Sequence, residues 1–553
     1  MEKYGRMVKK EGIAMKNLRI RLIALVMALA VLLSGCYDIN DYMRLLNIYI
    51  TGTVPVVKFE DMEYTRPDPA GLLDYQAQCV ELAQAGDDFD ALEDAVWYLY
   101  EEYYNFYTNY SLADIHYSQD LTDLYWEEEY LWCLEASAEV DAAMDQMFFV
   151  LAASDYREAL ERDDLFGAGF FDDYMGESVW DETFTALMEQ ESVLIGRYYD
   201  LSTDLMEYEP GTRGYEATAS ALVDLYVELI ALRQEQASYS GYGNYLNFAY
   251  EFYYGRDYSP AQEELYLSQV REHLVPLYRQ VCSNGVDGIG YSMVTEEQTF
   301  DYVKETARNM GGTVEEAFNT MVKGNLYDIS FSPNKYASSF EVFLLDYYEP
   351  FIFMNPEGTS YDQLTFAHEF GHFCNDYASY GSQLGIDSME VFSQGMEYLS
   401  LEYASDTEDL AKLKMMDSLC VYVEQSAYAA FEQEVYRLHA DDLTGQNIMA
   451  LFEEITDQFG FDIWDTNGTD FVEIPHLFTS PMYIFSYVVS NDAALQLYQI
   501  ELEQPGAGLA LLEENLDSTA GGFLEFLKEA GLDSPFIYGR LEEVKATFEN
   551  ILT

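Results

Sequence analysis

Apolar residues recur at helical spacing along most of this chain. Leu222, Leu225, Leu229 and Leu232 follow one another at steps of three and four residues, which places them on one face of an α-helix. Glycine and proline interrupt such segments only at intervals. The pattern predicts a mainly α-helical protein, and 553 residues with 49% hydrophobic content are enough for a large packed core.

One short region has a different pattern. Residues 340–355 (FEVFLLDYYEPFIFMN) form two aromatic-rich apolar runs around a Glu-Pro pair, which predicts a β-hairpin. Pro350 at the start of the second run predicts an edge strand, because proline cannot donate to a sheet ladder. Ser360, followed by Gln363 three residues later, resembles a capping box that begins the next helix. We therefore expect a small β-sheet directly before a helix.

The run LTFAHEFGHF lies within this expected helix and has the HExxH pattern. His368 and His372 are four residues apart, so on a helix both imidazoles project from one face and can bind the same ion. Glu369 lies beside them, where a carboxylate can take a proton from water that attacks a carbonyl. The pattern predicts a catalytic Zn²⁺ bound by His368 and His372, with Glu369 as general base.

A catalytic zinc of this kind takes a third protein ligand and keeps one position open. Glu390 and Glu397 compete for that role, seven residues apart in SMEVFSQGMEYLSLEY and therefore on nearly the same face of a second helix. Spacing alone does not choose between them. One could bind the metal while the other accepts a hydrogen bond from a ligand histidine.

The runs PFIFMNPEGTSYDQLTFAHEFGH and EVFSQGME resemble the metallopeptidase core of the oligoendopeptidase F and thimet oligopeptidase family. The resemblance extends from about residue 236 to residue 490. It implies that Glu390 is the zinc ligand, that Ser393 is the serine of the family's E-x-x-S segment, and that Glu397 is its second acid. It also implies a large two-lobed helical metallopeptidase fold around a deep channel, with a small β-sheet beside the zinc helix.

Two features depart from the family pattern. Asn375 stands where the family commonly has a further histidine, and the interval from His372 to Glu390 is shorter than usual. Neither departure removes a ligand, but both indicate a divergent branch. They keep Glu397 open as the alternative ligand.

A later run, VEIPHLFTSPMYIFSYVVS, resembles the family segment whose histidine and tyrosines stabilise the tetrahedral intermediate. The resemblance implies this role for His476, together with Tyr483 and Tyr487. A donor aimed at a developing oxyanion is worth roughly 3 kcal/mol in comparable sites. Residues 350–355 could bind an extended substrate along a strand edge, or could simply pack under the zinc helix.

The N-terminus has the features of an export signal. Basic residues precede an apolar run at residues 22–33, and Ser34 and Gly35 precede Cys36, which resembles a bacterial lipobox. We expect a lipid on Cys36 to be the only membrane attachment and to hold the protein at the outer face of a bacterial cytoplasmic membrane. The formal charge of -71 excludes nucleic acid as a partner, because such a surface repels phosphates. The other cysteines are scattered, which predicts no disulfide framework, and Cys374 is expected in the core.

These predictions divide the chain into a signal peptide (1–35), a tether (36–69), an N-terminal helical region (70–235) and a zinc metallopeptidase region (236–553). The function they predict is zinc-dependent endopeptidase hydrolysis of short extended peptides at the outer cell surface. Two alternatives stay open: an HExxH-plus-glutamate exopeptidase, and a lipoprotein that binds peptides without cutting them.

Overall fold

The computed structural model describes residues 56–162, 165–167, 169–171, 174, 182–283, 291–382, 384–464 and 466–552. The predicted signal peptide, Cys36 and most of the predicted tether lie outside the described residues. Within the described ranges, no helix is both long enough and apolar enough to cross a bilayer.

The N-terminal part is a packed group of helices. Each of its three long helices begins after an aspartate, Asp68, Asp88 or Asp123, whose side chain accepts a backbone N–H from the first turn. Their apolar faces meet in a hydrophobic cluster that extends from Leu72 to Phe171 and is separate from the main core. The helices are α1 (Pro69–Ala85), α2 (Phe89–Gln119), α3 (Leu124–Ala152) and the short α4 (Arg157–Leu160).

A second group of helices leads to the sheet and packs into the larger core. These are α5 (Glu182–Met206), α6 (Arg213–Tyr239), α7 (Tyr245–Phe248, continued by a π-helical turn at Ala249–Tyr253), α8 (Pro260–His273), α9 (Val275–Ser283), α10 (Glu296–Met310) and α11 (Gly312–Gly324). The four leucines of the predicted stripe are all buried on α6, as expected. Residue 235, the predicted boundary between regions, lies inside α6.

The sheet in the described residues has the strand order β1–β3–β2, with β1 at Tyr327–Asp328, β2 at Ser339–Leu344 and β3 at Glu349–Met354. β2 and β3 pair antiparallel, with Phe340 opposite Phe353, so the predicted hairpin is confirmed. The prediction that the proline-containing strand lies at an edge is wrong, because β1 pairs in parallel with β3 at Ile352 and Phe353. Pro350 lies beyond the part of β3 that β1 covers, so its missing N–H costs no hydrogen bond with β1.

The C-terminal half is helical again. Its helices are α12 (Tyr361–Ser379), α13 (Ile386–Tyr403), α14 (Glu408–Cys420), α15 (Ser426–Tyr436), α16 (Gly445–Gln458), α17 (Pro475–Thr479), α18 (Ile484–Glu503), α19 (Ala507–Asn515), α20 (Phe523–Ala530) and α21 (Arg540–Leu552). Helix α13 lies between α12 and α18 and packs extensively on both. The fold is mainly α, as predicted, with a small sheet against α12.

Helix α12 begins where expected, but the predicted capping box does not form. Ser360 is the N-cap residue without a side-chain cap, and its hydroxyl accepts the N–H of Ser292 instead. Asp362 in the first turn accepts backbone N–H groups of residues 357, 358 and 359 at 2.7–3.1 Å. A carboxylate accepting three such bonds is a stronger anchor for the turn before the helix than a neutral serine.

Candidate metal and catalytic site

Three side chains from two adjacent helices converge at one point. His368 and His372 project from α12, and Glu390 projects from α13; one ligand atom from each lies within 4.8 Å of the others. Glu390 Oε2 is 3.5 Å from His368 Nε2 and 3.8 Å from His372 Nε2. Tetrahedral zinc with bonds of 2.0–2.1 Å holds its ligand atoms about 3.3 Å apart, so small rotations of these side chains would complete the site. The donor set therefore fits a zinc ion.

Gly371 allows the two ligand helices to approach closely. A Cβ atom built at Gly371 would lie 2.4 Å from Phe392 O and 2.6 Å from Ser393 Cα, closer than real side-chain atoms come. The backbone of α13 therefore occupies the space of a side chain on α12. This contact places Glu390 opposite the two histidines.

Ser393 orients the glutamate of the site. Its hydroxyl donates to Glu390 Oε2 at 2.9 Å and is fully buried. Ser393 is the serine that the family resemblance placed beside the ligand. The hydrogen bond restrains the carboxylate rotamer, which lowers the entropic cost of ordering it on a metal.

Glu397 lies behind His368 and not beside the other ligand atoms. Its Oε1 is 2.8 Å from His368 Nδ1, and its Oε2 is 2.8 Å from Lys414 Nζ on α14. Burial alone would raise the pKa of Glu397, but the charge of Lys414 and the hydrogen bond with His368 hold it below its usual value. An ionised Glu397 accepts from His368 Nδ1–H, which turns Nε2 towards the ligand cluster.

Glu369 is buried beside the histidines, and its Oε1 accepts a hydrogen bond of 2.8 Å from the Ser339 hydroxyl at the start of β2. Burial raises the pKa of Glu369 above its ordinary value. A carboxylate with a raised pKa is a stronger base, as proton abstraction from water requires. The small sheet thus contributes directly to the site.

His476, Tyr483 and Tyr487 form one cluster. The ring centroids lie 5.2–5.8 Å apart, and the Tyr487 hydroxyl is 3.4 Å from His476 Nε2. Burial and the charge of Glu390 raise the pKa of both tyrosines, that of Tyr487 to about 12, while burial lowers the pKa of His476. At neutral pH both phenols keep their protons and can donate. Gln394 Nε2 on α13, the helix that carries Glu390, donates to Tyr487 O at 3.5 Å, so the cluster lies beside that helix.

Sequence reasoning missed Lys414, Ser339 and the role of Gly371. Lys414 is 2% exposed, and a buried lysine in a chain this acidic must have a carboxylate partner, but the sequence does not say which. Ser339 has no motif signal at all. Gly371, the glycine of HEFGH, could have been interpreted as a point of close helix approach.

Three other residues of types that can bind metal or take part in catalysis have structural roles. His116 stacks on Trp126 with ring centroids 4.3 Å apart. Cys374 is fully buried in the core, as predicted, and the five cysteines of the described residues are free thiols. Asn375, which replaces the family's further histidine, donates to Leu516 O at 2.8 Å.

Comparisons with known proteins concern the N-terminal domain and the fold. Residues 59–174 match the family model of the Peptidase M3 N-terminal domain. The fold matches PZ peptidase A, solved with an inhibitor, at 19% identity and a TM-score of 0.76 over 90% of this chain and 99% of that one. A structure assigned as oligoendopeptidase F matches at 21% identity and a TM-score of 0.75 over 90% and 98% of the two chains.

A third structure, assigned as oligoendopeptidase F from Bacillus anthracis strain Ames, matches at 20% identity and a TM-score of 0.72 over 90% and 98% of the two chains. Among curated proteins, no significant sequence match is found. The resemblance to the oligoendopeptidase F and thimet oligopeptidase family is thus confirmed, by a Peptidase M3 N-terminal domain at residues 59–174 and by the fold of oligoendopeptidase F structures over 90% of the chain.

Proposed function

We propose that this peptidase is a zinc-dependent endopeptidase that hydrolyses short extended peptides, with the metal held by His368, His372 and Glu390. The observation that carries the proposal is the convergence of these three ligand atoms, with Glu369 buried alongside. Zinc, when bound, polarises the scissile carbonyl and makes water acidic enough to be deprotonated near neutral pH. The family resemblance adds a deep channel that would admit peptides and exclude folded proteins.

The protein's own residues transfer the proton and stabilise the negative charge that develops. Glu369, held by Ser339, takes a proton from the attacking water and later gives it to the leaving amine. Tyr483 or Tyr487, with His476, donates to the oxygen that becomes negatively charged. Because the phenols stay protonated, they can supply these hydrogen bonds across the neutral pH range.

Of the described strands, β2 is the end strand beside this site with which an extended substrate would pair. β3 has neighbours on both sides along residues 352–353, whereas β2 is an end strand of the described sheet. Main-chain pairing with β2 would place a substrate next to Ser339 and therefore next to Glu369. Such pairing gives affinity with little dependence on the substrate's side chains.

The substitution Glu369→Gln tests the catalytic role. We expect kcat to fall 10²- to 10⁴-fold while one zinc stays bound, because the amide cannot accept the proton but leaves the ligands in place. Glu408→Gln, which changes an exposed carboxylate on α14, is the matched control. Unchanged turnover in Glu369→Gln would instead favour a protein that only binds peptides.

A peptide panel separates endopeptidase from exopeptidase action. Peptides blocked by N-acetylation and C-amidation should be cut internally at rates similar to those of unblocked peptides. A requirement for a free amine or a free carboxylate would establish the exopeptidase alternative. Chelator treatment followed by zinc should abolish and then restore cleavage of the same peptides.

We also propose that the protein is anchored outside the cytoplasmic membrane by a lipid on Cys36. The support is the lipobox-like sequence at residues 33–36. The full chain should fractionate with membranes and be accessible to added protease on intact cells. Cys36→Ser should release it; recovery of this variant in the membrane fraction would contradict the proposal.

A further inference from the structure

The segment Ser480–Tyr483, between α17 and α18, is held in an unusual backbone conformation. Met482 has a φ of +68°, in the left-handed region that side-chain-bearing residues rarely adopt. The residue is 2% exposed and directly precedes Tyr483. Such strain persists only where surrounding groups fix it, and here both polar groups of the Met482 backbone have a buried partner.

Arg256 holds the carbonyl side. Its Nη2 donates to Met482 O and to Ser486 Oγ, both at 2.9 Å. The guanidinium is itself fixed by an ion pair with Asp387, at 3.3 Å, and by the ring of Tyr250, 4.5 Å from its central carbon. Arg256 therefore links the strained residue to the first turn of α18, which also carries Tyr487.

Glu432 holds the amide side. Its Oε1 accepts the N–H of Met482 at 2.9 Å, from a fully buried position on α15. The other end of the same peptide unit is held too, because the Tyr254 hydroxyl donates to Pro481 O at 2.8 Å. Side chains from two separate parts of the chain, the segment after the π-helical turn and α15, thus converge on the backbone of Pro481 and Met482.

The position of the segment gives this convergence a consequence for catalysis. Tyr483 belongs to the cluster with His476 and Tyr487, which lies beside α13, the helix that carries Glu390. A hydrogen-bond donor is useful only if it points to where the negative charge develops. An error of about 1 Å in such placement can cost on the order of 10²-fold in rate.

We propose that Arg256 and Glu432 are positioning residues that fix the backbone of Met482 and thereby aim the Tyr483 hydroxyl at the reacting carbonyl. The inference rests on the proposed peptidase function and deepens it. Arg256 and Glu432 are buried and lie outside the cluster of His368, His372 and Glu390. They act through Tyr483 by fixing the backbone from which it projects.

The first test compares Arg256→Lys with Arg540→Lys. Lysine has a single ammonium and a shorter reach, so it cannot bind Met482 O and Ser486 together while keeping Asp387. Arg540 is the matched control, because it is also buried and paired with an aspartate, Asp492, but does not contact the 480–483 segment. We expect Arg256→Lys to lower kcat at least 10-fold with KM within 2-fold and zinc content unchanged, and Arg540→Lys to leave kcat within 2-fold.

A double-mutant cycle with Tyr483→Phe shows whether the effect passes through the tyrosine. If it does, the double variant Arg256→Lys, Tyr483→Phe is no slower than Tyr483→Phe alone. If the kcat loss of the double variant is instead the product of the losses of the two single variants, Arg256 acts by another route and the proposal is overturned. Full activity in Tyr483→Phe would also overturn it, whereas loss of turnover in Glu369→Gln would still support the peptidase function.

A second pair of variants decides the matter if Arg256→Lys does not fold. Glu432→Gln keeps an oxygen that accepts the Met482 N–H, and Glu432→Met removes it at nearly constant volume. If Glu432 fixes Met482, the kcat of Glu432→Met should be at least 10-fold below that of the wild type, with KM little changed. The kcat of Glu432→Gln should be close to that of the wild type. Equal kcat in the two variants would contradict the role of Glu432.

Discussion

Glu397 shows how one residue can be assigned by its partners and not by its spacing. Both of its carboxylate oxygens are engaged, one by His368 and one by Lys414. A carboxylate bound in this way supports a ligand and does not replace it. We therefore propose Glu390 and not Glu397 as the ligand, a choice that sequence spacing leaves open and that the contact with Lys414, on a third helix, favours.

The substitution Glu397→Gln tests this arrangement. The amide oxygen can still accept from His368, but the charge that polarises the imidazole is lost, and Lys414 loses the nearer of its two carboxylate partners, keeping Asp417 at 3.6 Å. We expect zinc affinity to fall about 10- to 100-fold without loss of the site. Affinity is measured by competition with a chromogenic chelator, beside Glu390→Gln as the variant that removes a ligand.

Two outcomes would contradict the assignment. Unchanged zinc affinity in Glu397→Gln would mean that the hydrogen bond to His368 does not support metal binding. A loss as complete as that of Glu390→Gln would make Glu397 a direct ligand.

At the level of secondary structure, the packing of α12 against α13 brings the three proposed metal ligands together. Gly371→Ala places a methyl group against the backbone of Phe392 and Ser393, which cannot move aside as a side chain end can. We expect this variant to be destabilised by roughly 1–3 kcal/mol, as overpacking typically costs, and to bind zinc at least 10-fold more weakly. Unfolding in urea and chelator competition measure the two effects.

Gly395→Ala is the matched control on the other face of α13. Its methyl would meet only the side-chain ends of Leu497 and Leu512, at 3.2–3.3 Å, and these can shift. We expect the zinc affinity of Gly395→Ala to be close to that of the wild type. Equal losses in both alanine variants would show that the effect at Gly371 is general destabilisation and not displacement of the ligands.

The sequence predicts elements well where a single segment decides the outcome, and less well where distant segments compete. The helical stripe at Leu222–Leu232 and the hairpin follow from local periodicity. The edge position predicted for the strand with Pro350 is wrong because β1 pairs with β3 and makes β3 central. Strand β1 has only two residues, which is too little pattern to be recognised from the sequence. The predicted capping box does not form, because the Ser360 hydroxyl accepts from Ser292 and the Asp362 carboxylate accepts the N–H groups of the preceding turn. Ser339 and Lys414 reach the site only through tertiary packing, which no spacing encodes.

At the scale of the whole molecule, acidity and burial together set the pH dependence of stability. Several carboxyl groups are buried with raised pKa values, among them Glu263, Glu341 and Glu432. Burial raises the pKa of Glu432 to about 8, against 4.5 in a solvated carboxyl. Between these values the folded state binds the proton more tightly than the unfolded state, so the free energy of unfolding falls as pH rises.

The substitution Glu432→Gln isolates this contribution, because glutamine does not titrate. From pH 5 to pH 8 the wild type should lose more stability than the variant, by at least about 1 kcal/mol and at most about 4 kcal/mol, because one proton contributes at most about 1.36 kcal/mol per pH unit. Urea denaturation at the two pH values measures the difference. Parallel pH profiles, or a steeper fall in the variant, would contradict the raised pKa.

We propose that one zinc ion lies between His368, His372 and Glu390, where the three ligand atoms converge. Anomalous diffraction from crystals of the zinc-loaded protein, recorded on both sides of the zinc absorption edge, locates the ion. We expect one strong peak about 2.1 Å from His368 Nε2, His372 Nε2 and a Glu390 oxygen. A peak coordinated by Glu397, or no peak between α12 and α13, would contradict it.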